Sequence, residues 1–195
     1  MRKRINMQEL RGKLLNGTIY VIAENGLDGA TTKRISQYTQ LNEAYIYRAF
    51  EDKITMFACA FDVLDDEFVA CLMQSIDENA ADDQPIREAL DHVFRVNWRF
   101  MLDGIERCMC FMQYFYSPYF VNLSKEKHYQ KFSVVVERLA PFFRNEGDAL
   151  LLLSHVLDTM LIWALKVSRG EVEDNDETAN LLFDILYASL APYLK

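Results

Sequence analysis

Cysteine and histidine are scarce in this sequence, which limits the metal and redox chemistry that it could support. Four cysteines in 195 residues do not suggest a disulfide framework. Cys108 and Cys110 would place their thiols on nearly opposite sides of a helix, which makes a poor metal clamp. We therefore predict no metal and no cofactor, and we expect the cysteines to be buried as small hydrophobic residues in a reducing cytoplasm.

The residue patterns of common enzymes are also missing. The sequence has no Ser/His/Asp spacing pattern, no HExxH, no glycine-rich phosphate loop and no paired carboxylates on an otherwise apolar face. The three histidines are scattered along the chain, and His92 beside Asp91 is typical of a solvated helix face. We predict that the protein is not an enzyme.

No segment reads as a signal peptide or a membrane span. The basic N-terminus is not followed by an apolar run. The longest apolar stretch, residues 149–165, is interrupted by Ser154, His155, Asp158 and Thr159, which is typical of a buried helix. We predict a cytoplasmic protein without a membrane partner.

Charge is divided unevenly along the chain. Residues 1–53 carry nine Lys or Arg and six Asp or Glu, a net charge of +3, whereas the rest carries 12 and 23, a net charge of −11. This asymmetry fits an N-terminal part that meets phosphate and a C-terminal part that does not. Alternatively, Arg2, Lys3 and Arg4 form a solvated tail, which by itself accounts for the positive value.

Apolar residues recur at helical spacing along the whole chain, and no strand pattern is evident, so we predict an all-α fold. The first helix should run from about Met7 to Asn25 and end at Gly26, with Gly17 inside it because of close packing. Asp52 should cap a long helix, and Asp148 another. The remaining helices are expected over residues 86–104, 107–116, 124–145 and 178–193.

Residues 31–53 read as two short helices joined by a tight turn. Thr31 or Thr32 can cap the first helix, and Asn42 is the natural cap of the second. In the second helix Ile46 and Phe50 lie four residues apart on one side. The other side carries aromatic, small and basic residues, which suits the major groove of DNA: Ala44, Tyr45 and Arg48.

These residues resemble the TetR-type transcriptional repressors. Three segments match in order and without insertion: residues 14–26, residues 28–35, and residues 46–50 followed by Asp52 and Lys53. The resemblance covers residues 8–57 and implies a three-helix DNA-binding domain, whose second and third helices form a helix-turn-helix. It divides the chain into this domain, 1–53, and a helical effector-binding and dimerisation domain, 54–195.

The sequence departs from the family pattern at three positions. Gln40 stands where the family often has glycine, so a left-handed backbone there would cost about 1 kcal/mol relative to glycine. Glu43 stands where lysine is more usual, and Glu51 adds a second acid nearby.

The candidate DNA contacts fall into two groups. Base edges come within reach of the first turn of the second short helix, and Glu43 could accept a hydrogen bond from a cytosine amino group. That group is Asn42, Glu43, Ala44 and Tyr45. The helix caps, one tyrosine, and the lysines and arginines are suited to contact DNA phosphates, and the resemblance implies this role for some of them. This second group is Thr31, Thr32, Lys33, Arg34, Tyr47, Arg48 and Lys53.

The last two long helices are apolar nearly all round. One face can serve the core, and the second face needs a partner, most simply the same face of a second copy. The resemblance also implies a two-fold homodimer built on these helices. The alternative is a helix enclosed within one chain. The candidate dimer residues are Leu153, Leu157, Leu161, Leu182, Ile185 and Leu186.

Large polarizable side chains cluster between residues 94 and 120. Such residues can form a pocket for an apolar or aromatic molecule, or simply a core. The resemblance implies an effector cavity in this part of the chain. The candidate ligand-binding residues are Phe61, Phe94, Trp98, Met101, Phe111, Met112, Tyr114 and Phe115.

Together these features predict a ligand-responsive, dimeric transcriptional repressor that binds an inverted repeat in double-stranded DNA. The alternative is an all-helical protein that binds small molecules or partner proteins and has weak or lost DNA binding, a reading that Gln40, Glu43 and Glu51 favour.

Overall fold

The structure is a computed structural model that describes residues 6–78 and 84–195. Within these ranges the regular elements are helices, and the predicted all-α class is confirmed. The α-helices are α1 (Met7–Gly29), α2 (Thr32–Thr39), α3 (Ala44–Ala49), α4 (Lys53–Asp77), α5 (Ile86–Asp103), α6 (Ile105–Phe115), α7 (Lys125–Leu139), α8 (Ala149–Ser168) and α9 (Asp176–Leu190). A π-helix, Phe120–Ser124, precedes α7, and 3-10 turns cover Ala140–Phe142, Glu146–Asp148 and Ala191–Tyr193.

The chain divides into two compact units. The first runs to Asp65 and also contains Glu106–His128, and the second comprises Asp66–Ile105 and Tyr129–Lys195. Helices α4 and α7 are therefore divided between the two units, and so is α6, whose first residue, Ile105, belongs to the second unit. The domain boundary that we predict at residue 53 differs from this division and stays a prediction.

In the first unit, α1 packs against α2 and α3. Leu14 and Ile22 on α1 are fully buried, as are Ile35 on α2 and Ile46 on α3. Within α1 the helical backbone is interrupted at Gly26, whose φ of 73° and ψ of 169° are not helical, and a short helical stretch follows to Gly29. Glycine adopts this left-handed φ without steric cost, and the first helical segment therefore ends where the sequence predicts.

The predicted caps of the next helices are confirmed. Thr31 Oγ1 accepts a hydrogen bond from Arg34 N at 3.2 Å, and Asn42 Oδ1 accepts one from Ala44 N at 2.9 Å. Asp52 Oδ1 accepts one from Thr55 N at 2.7 Å at the start of α4. Gln40 ends α2 in the left-handed conformation with φ 56°, as the turn requires. Helix α3 ends at Ala49, because Phe50 is already extended.

In the second unit, α5 packs against α8 and α9. Three predicted boundaries need correction. Helix α7 ends at Leu139 and not near Asn145, since Pro141 cannot continue it. Asp148 accepts a bond from Asn145 Nδ2 at 3.0 Å and makes no side-chain cap bond to α8. Helix α9 starts at Asp176, two residues before the predicted start, and Asn175 caps it by accepting a bond from Thr178 N at 2.8 Å.

Gly17 gives a direct test of the packing of α1 on α2. A Cβ at this position would lie 2.2 Å from Thr39 Cγ2 and 3.3 Å from Tyr38 Cδ1. We expect Gly17→Ala to lower the free energy of unfolding by about 1–2 kcal/mol, because overpacking outweighs the gain in helix propensity. Urea denaturation followed by circular dichroism measures this change.

Gly12→Ala is the matched control, since Gly12 lies on the same helix with nothing within 4 Å of the added Cβ. It should raise the free energy of unfolding by about 0.5–1 kcal/mol through helix propensity alone. Equal effects of the two substitutions would contradict the close approach of α1 and α2.

Candidate functional site

Helix α3 has a buried side and an exposed side. Ile46 is 0% exposed, and Ala49 and Phe50 are buried beside it. On the other side Tyr45 is 38% exposed and Tyr47 is 59% exposed, and Ala44 and Arg48 are also exposed. Helix α3 therefore exposes two tyrosines, an alanine and an arginine on one side, while its opposite side is buried.

The other candidate DNA contacts also reach the surface. None of the eleven is buried. Thr32, Glu43 and Lys53 are half-buried, and the Lys53 ammonium lies 5.3 Å from the centroid of the Phe57 ring. The remainder are exposed: Thr31, Lys33, Arg34, Asn42, Ala44, Tyr45, Tyr47 and Arg48.

Two of these side chains also have structural roles, of which the sequence predicts only the cap made by Asn42. Arg34 Nη1 donates to Asn25 Oδ1 at 2.7 Å and to Gly29 O at 3.1 Å, so its guanidinium holds the kinked end of α1. Asn42 uses its carbonyl oxygen to start α3. Both contacts restrict how these side chains can approach a ligand.

Comparison with solved structures relates this arrangement to known proteins. The crystal structure of a TetR family transcription regulator from Marinobacter aquaeolei VT8 matches with a TM-score of 0.78 and 17% identity, over 92% of this chain and 94% of that one. A TetR-like transcriptional regulator from Rhodococcus sp. RHA1 matches at 0.71 and 16%, over 96% and 99%. A TetR-family transcriptional regulator from Haemophilus influenzae RD matches at 0.66 and 14%, over 95% and 98%.

The fold is that of the TetR-family transcription regulators. No protein-family model and no curated protein sequence matches the chain. At these identities the likeness concerns the fold alone. In this TetR-type fold α2 and α3 are the two helices of the predicted helix-turn-helix.

The candidate ligand-binding residues are divided between the two units. Phe61, Phe111 and Tyr114 belong to the first unit, where the Phe61 ring stacks on the other two rings at centroid distances of 5.0 and 4.7 Å. These rings are buried core, and burial raises the pKa of the Tyr114 hydroxyl, which is hydrogen-bonded to Ser124 Oγ at 3.0 Å. Met112 and Phe115, in the same unit, are half-buried.

Phe61 also lines an open groove of about 170 Å³ in the first unit. Asp62 and Asp65 lie on its wall, where Lys127 Nζ is 2.7 Å from Asp62 Oδ2 and His128 Nδ1 is 2.9 Å from Asp65 Oδ1. The groove walls thus carry carboxylates that already have cationic or histidine partners, unlike the apolar pocket that the sequence predicts.

The second unit contains an apolar cavity of about 80 Å³. Of the predicted ligand residues only Phe94 lines it, whereas Trp98 and Met101, which are buried in the same unit, do not. The sequence reasoning missed most of the lining because it assigned the apolar residues of α8 and α9 to a dimer. The lining includes Leu72 and Ile76 of α4, Phe94 and Asn97 of α5, and Leu153, Val156, Leu157, Phe183 and Leu186 of α8 and α9.

Most candidate dimer residues pack inside the single chain. Leu153, Leu161, Leu182 and Leu186 are buried, and Leu157 is half-buried and lines the cavity. Ile185 alone of the six is exposed. The sequence pattern could not separate the two apolar faces of these helices, because both carry leucine and isoleucine. The face that is exposed contains Leu150, Leu151, Ile162, Leu181 and Ile185.

The segment Glu146–Ser168 is long and apolar enough to cross a membrane by length and composition alone. Core helices of soluble proteins meet the same criterion, so this observation assigns no membrane location. Of its most apolar window, 28% is buried inside the chain.

Across residues 6–78 and 84–195, no three His, Cys, Asp or Glu side chains are grouped to hold a metal ion. Cys108 and Cys110 are both buried, and desolvation raises the pKa of each thiol to about 12. A thiol with so high a pKa is a poor nucleophile and a poor metal ligand at neutral pH.

Proposed function

We propose that the protein is a homodimeric DNA-binding transcription regulator, a repressor that a small apolar molecule releases from DNA. The observation that carries this proposal is helix α3, whose back is buried at Ile46 while Tyr45, Tyr47 and Arg48 face outward at the second position of a helix-turn-helix. A short helix with these properties can enter the major groove, which admits an α-helix and displays a distinct pattern for each base pair.

The candidate DNA-binding residues fall into two groups, one for base edges and one for phosphates. Asn42, Glu43, Ala44 and Tyr45 lie at the start of α3, where base edges come within reach. A second group of residues is expected to contact phosphates: Thr31 and Thr32 at the first turn of α2, and Lys33, Tyr47, Arg48 and Lys53. Arg34 acts chiefly through Asn25 and Gly29, so we give it a smaller part in phosphate binding than the sequence suggested.

Dimerisation through α8 and α9 would cover the exposed apolar side chains of these helices. Leu151 is 72% exposed, Leu181 59% and Ile185 50%, and exposed large apolar groups favour association with an equivalent surface. A two-fold dimer would present two α3 helices to the half-sites of an inverted repeat.

The apolar cavity is the candidate effector site. Its volume of about 80 Å³ is smaller than an engineered cavity of about 150 Å³ that binds benzene, so a drug-sized effector would have to enlarge it. Leu72 and Ile76 on its wall belong to α4, the helix that follows α3 after three residues. An effector releases DNA only if it binds the non-operator conformation more tightly, and α4 is the element through which we expect that difference to act.

A second candidate function is supported by the acidic residues near α3. Glu43 is half-buried beside the first turn of α3, Glu51 is exposed after it, and the whole chain carries a net charge of −8. An all-helical protein that binds small molecules without binding DNA would have no need of a cationic surface. A mobility shift with the DNA upstream of its own coding region, at moderate salt and with and without candidate effectors, separates the two functions.

Substitution of Lys53 and of Tyr45 should have different effects on DNA binding. We expect Lys53→Ala to weaken operator and non-specific DNA alike and to reduce the slope of log affinity against log salt by about 1, because it removes a phosphate contact. Tyr45→Ala should instead change sequence preference, at about 1–3 kcal/mol per affected base pair. A uniform loss from both variants, measured by mobility shift over a salt series, contradicts the assigned roles.

Ile185→Glu should dissociate the dimer, because it places a carboxylate in the apolar surface on each side of the two-fold axis. Sedimentation velocity at micromolar concentration should then show a monomer. Leu123→Glu is the control, since Leu123 is 56% exposed on the π-helix of the other unit, and it should remain a dimer. A monomeric unmodified protein would remove the dimer from the proposal.

Val156→Phe should reduce the response to an effector found in the mobility shift by at least about tenfold, because the ring fills the apolar cavity. Binding of effector-free protein to DNA should be unchanged. Val134→Phe, at an exposed position on α7, should leave both properties intact. An unaltered effector response in the Val156 variant would place the effector elsewhere.

A further inference from the structure

Arg11 on α1 contacts both the end of α3 and the start of α4. Its Nη1 donates a hydrogen bond to the backbone oxygen of Ala49, the last residue of α3. The guanidinium carbon lies 4.3 Å from the centroid of the Phe50 ring, and Nη2 lies 3.9 Å from Cys59 Sγ on α4. We propose that Arg11 is a positioning residue that fixes the orientation of α3 against α1 and α4 without itself touching DNA. This inference rests on the proposed function of α3.

Helix α3 needs such a support because it is short. Six residues are far fewer than the ~12–15 that an isolated helix requires to be even marginally stable in water. Asn42 caps its start, but at its end Phe50 has left the helical conformation with φ −136° and ψ 150°. The last carbonyl oxygens of a helix have no partner within the helix, and a cation is favourable at that end. Arg11 provides both the donor and the charge.

A guanidinium is suited to this position because it can donate from its edge while its face covers an aromatic ring. The edge of Arg11 is directed at Ala49 O, and the face lies over Phe50, whose ring is 4% exposed and therefore held in place. Lysine carries the same charge but has a compact ammonium group, which cannot make the two contacts in the same way. Arg11→Lys should thus restore only part of what Arg11→Met loses.

The competing explanation is that Arg11 acts as one more positive charge near DNA. Lys13 separates the two explanations, since it lies on the same helix, two residues away, and is exposed, whereas Arg11 is half-buried. Lys13→Met removes one charge from α1 and leaves the contacts with Ala49 and Phe50 in place.

The test uses full-length Arg11→Met, Arg11→Lys and Lys13→Met proteins in two measurements. The first is amide hydrogen exchange over residues 44–50 in the free protein, where Arg11→Met should raise exchange about tenfold and Lys13→Met should leave it unchanged. The second is binding to a duplex selected from random sequence, compared with an unrelated duplex. Arg11→Met should lower the ratio of the two affinities about tenfold, Arg11→Lys by less, and Lys13→Met not at all.

Unchanged exchange in α3 of Arg11→Met, or an equal loss of affinity ratio in Arg11→Met and Lys13→Met, would overturn the inference. If Arg11→Met does not fold, Phe50→Leu replaces it, because it removes the ring under the guanidinium and keeps an apolar side chain. Absence of DNA binding by the unmodified protein would count against the proposed function, while the exchange measurement would still decide whether Arg11 holds α3.

Discussion

The burial of Ile46, Ala49 and Phe50 is the constraint on which the orientation of α3 depends. A helix of six residues gains little stability from its own hydrogen bonds, so its orientation depends first on the apolar residues that it buries in the first unit, which the proposed role of Arg11 supplements. Fixing this side of the helix leaves Tyr45, Tyr47 and Arg48 outside. Surface exposure of these residues is thus a consequence of packing, and a surface held in this way is pre-organised for a ligand.

The N-terminal helices could be predicted closely because their determinants are local. A threonine, an asparagine and an aspartate each accept the backbone bond expected at a helix start, at Thr31, Asn42 and Asp52. Gly17 was expected to mark close packing, and Thr39 is the side chain that approaches it. Gln40 takes up the left-handed conformation despite its steric cost, because the turn between α2 and α3 needs it.

The cavity and the apolar surface could not be predicted, because they depend on which way each apolar residue turns. Leucines on α8 and α9 that look alike in sequence divide between the core, the cavity wall and the exterior, as Leu161, Leu157 and Leu151 illustrate. The aromatic cluster is divided in the same way, with Phe111 in the core of the first unit and Phe94 at the cavity of the second. Arg11 donates to the backbone oxygen of Ala49, 38 residues along the chain, and Arg34 donates to that of Gly29, and no pattern in the sequence indicates these contacts.

A structure of the protein bound to its selected duplex would test the account most directly. The account predicts two copies of the chain on one duplex, each with Tyr45 and Ala44 within contact distance of base edges in successive major grooves. A complex in which α3 lies away from the duplex, or in which one copy binds DNA through another surface, would contradict it.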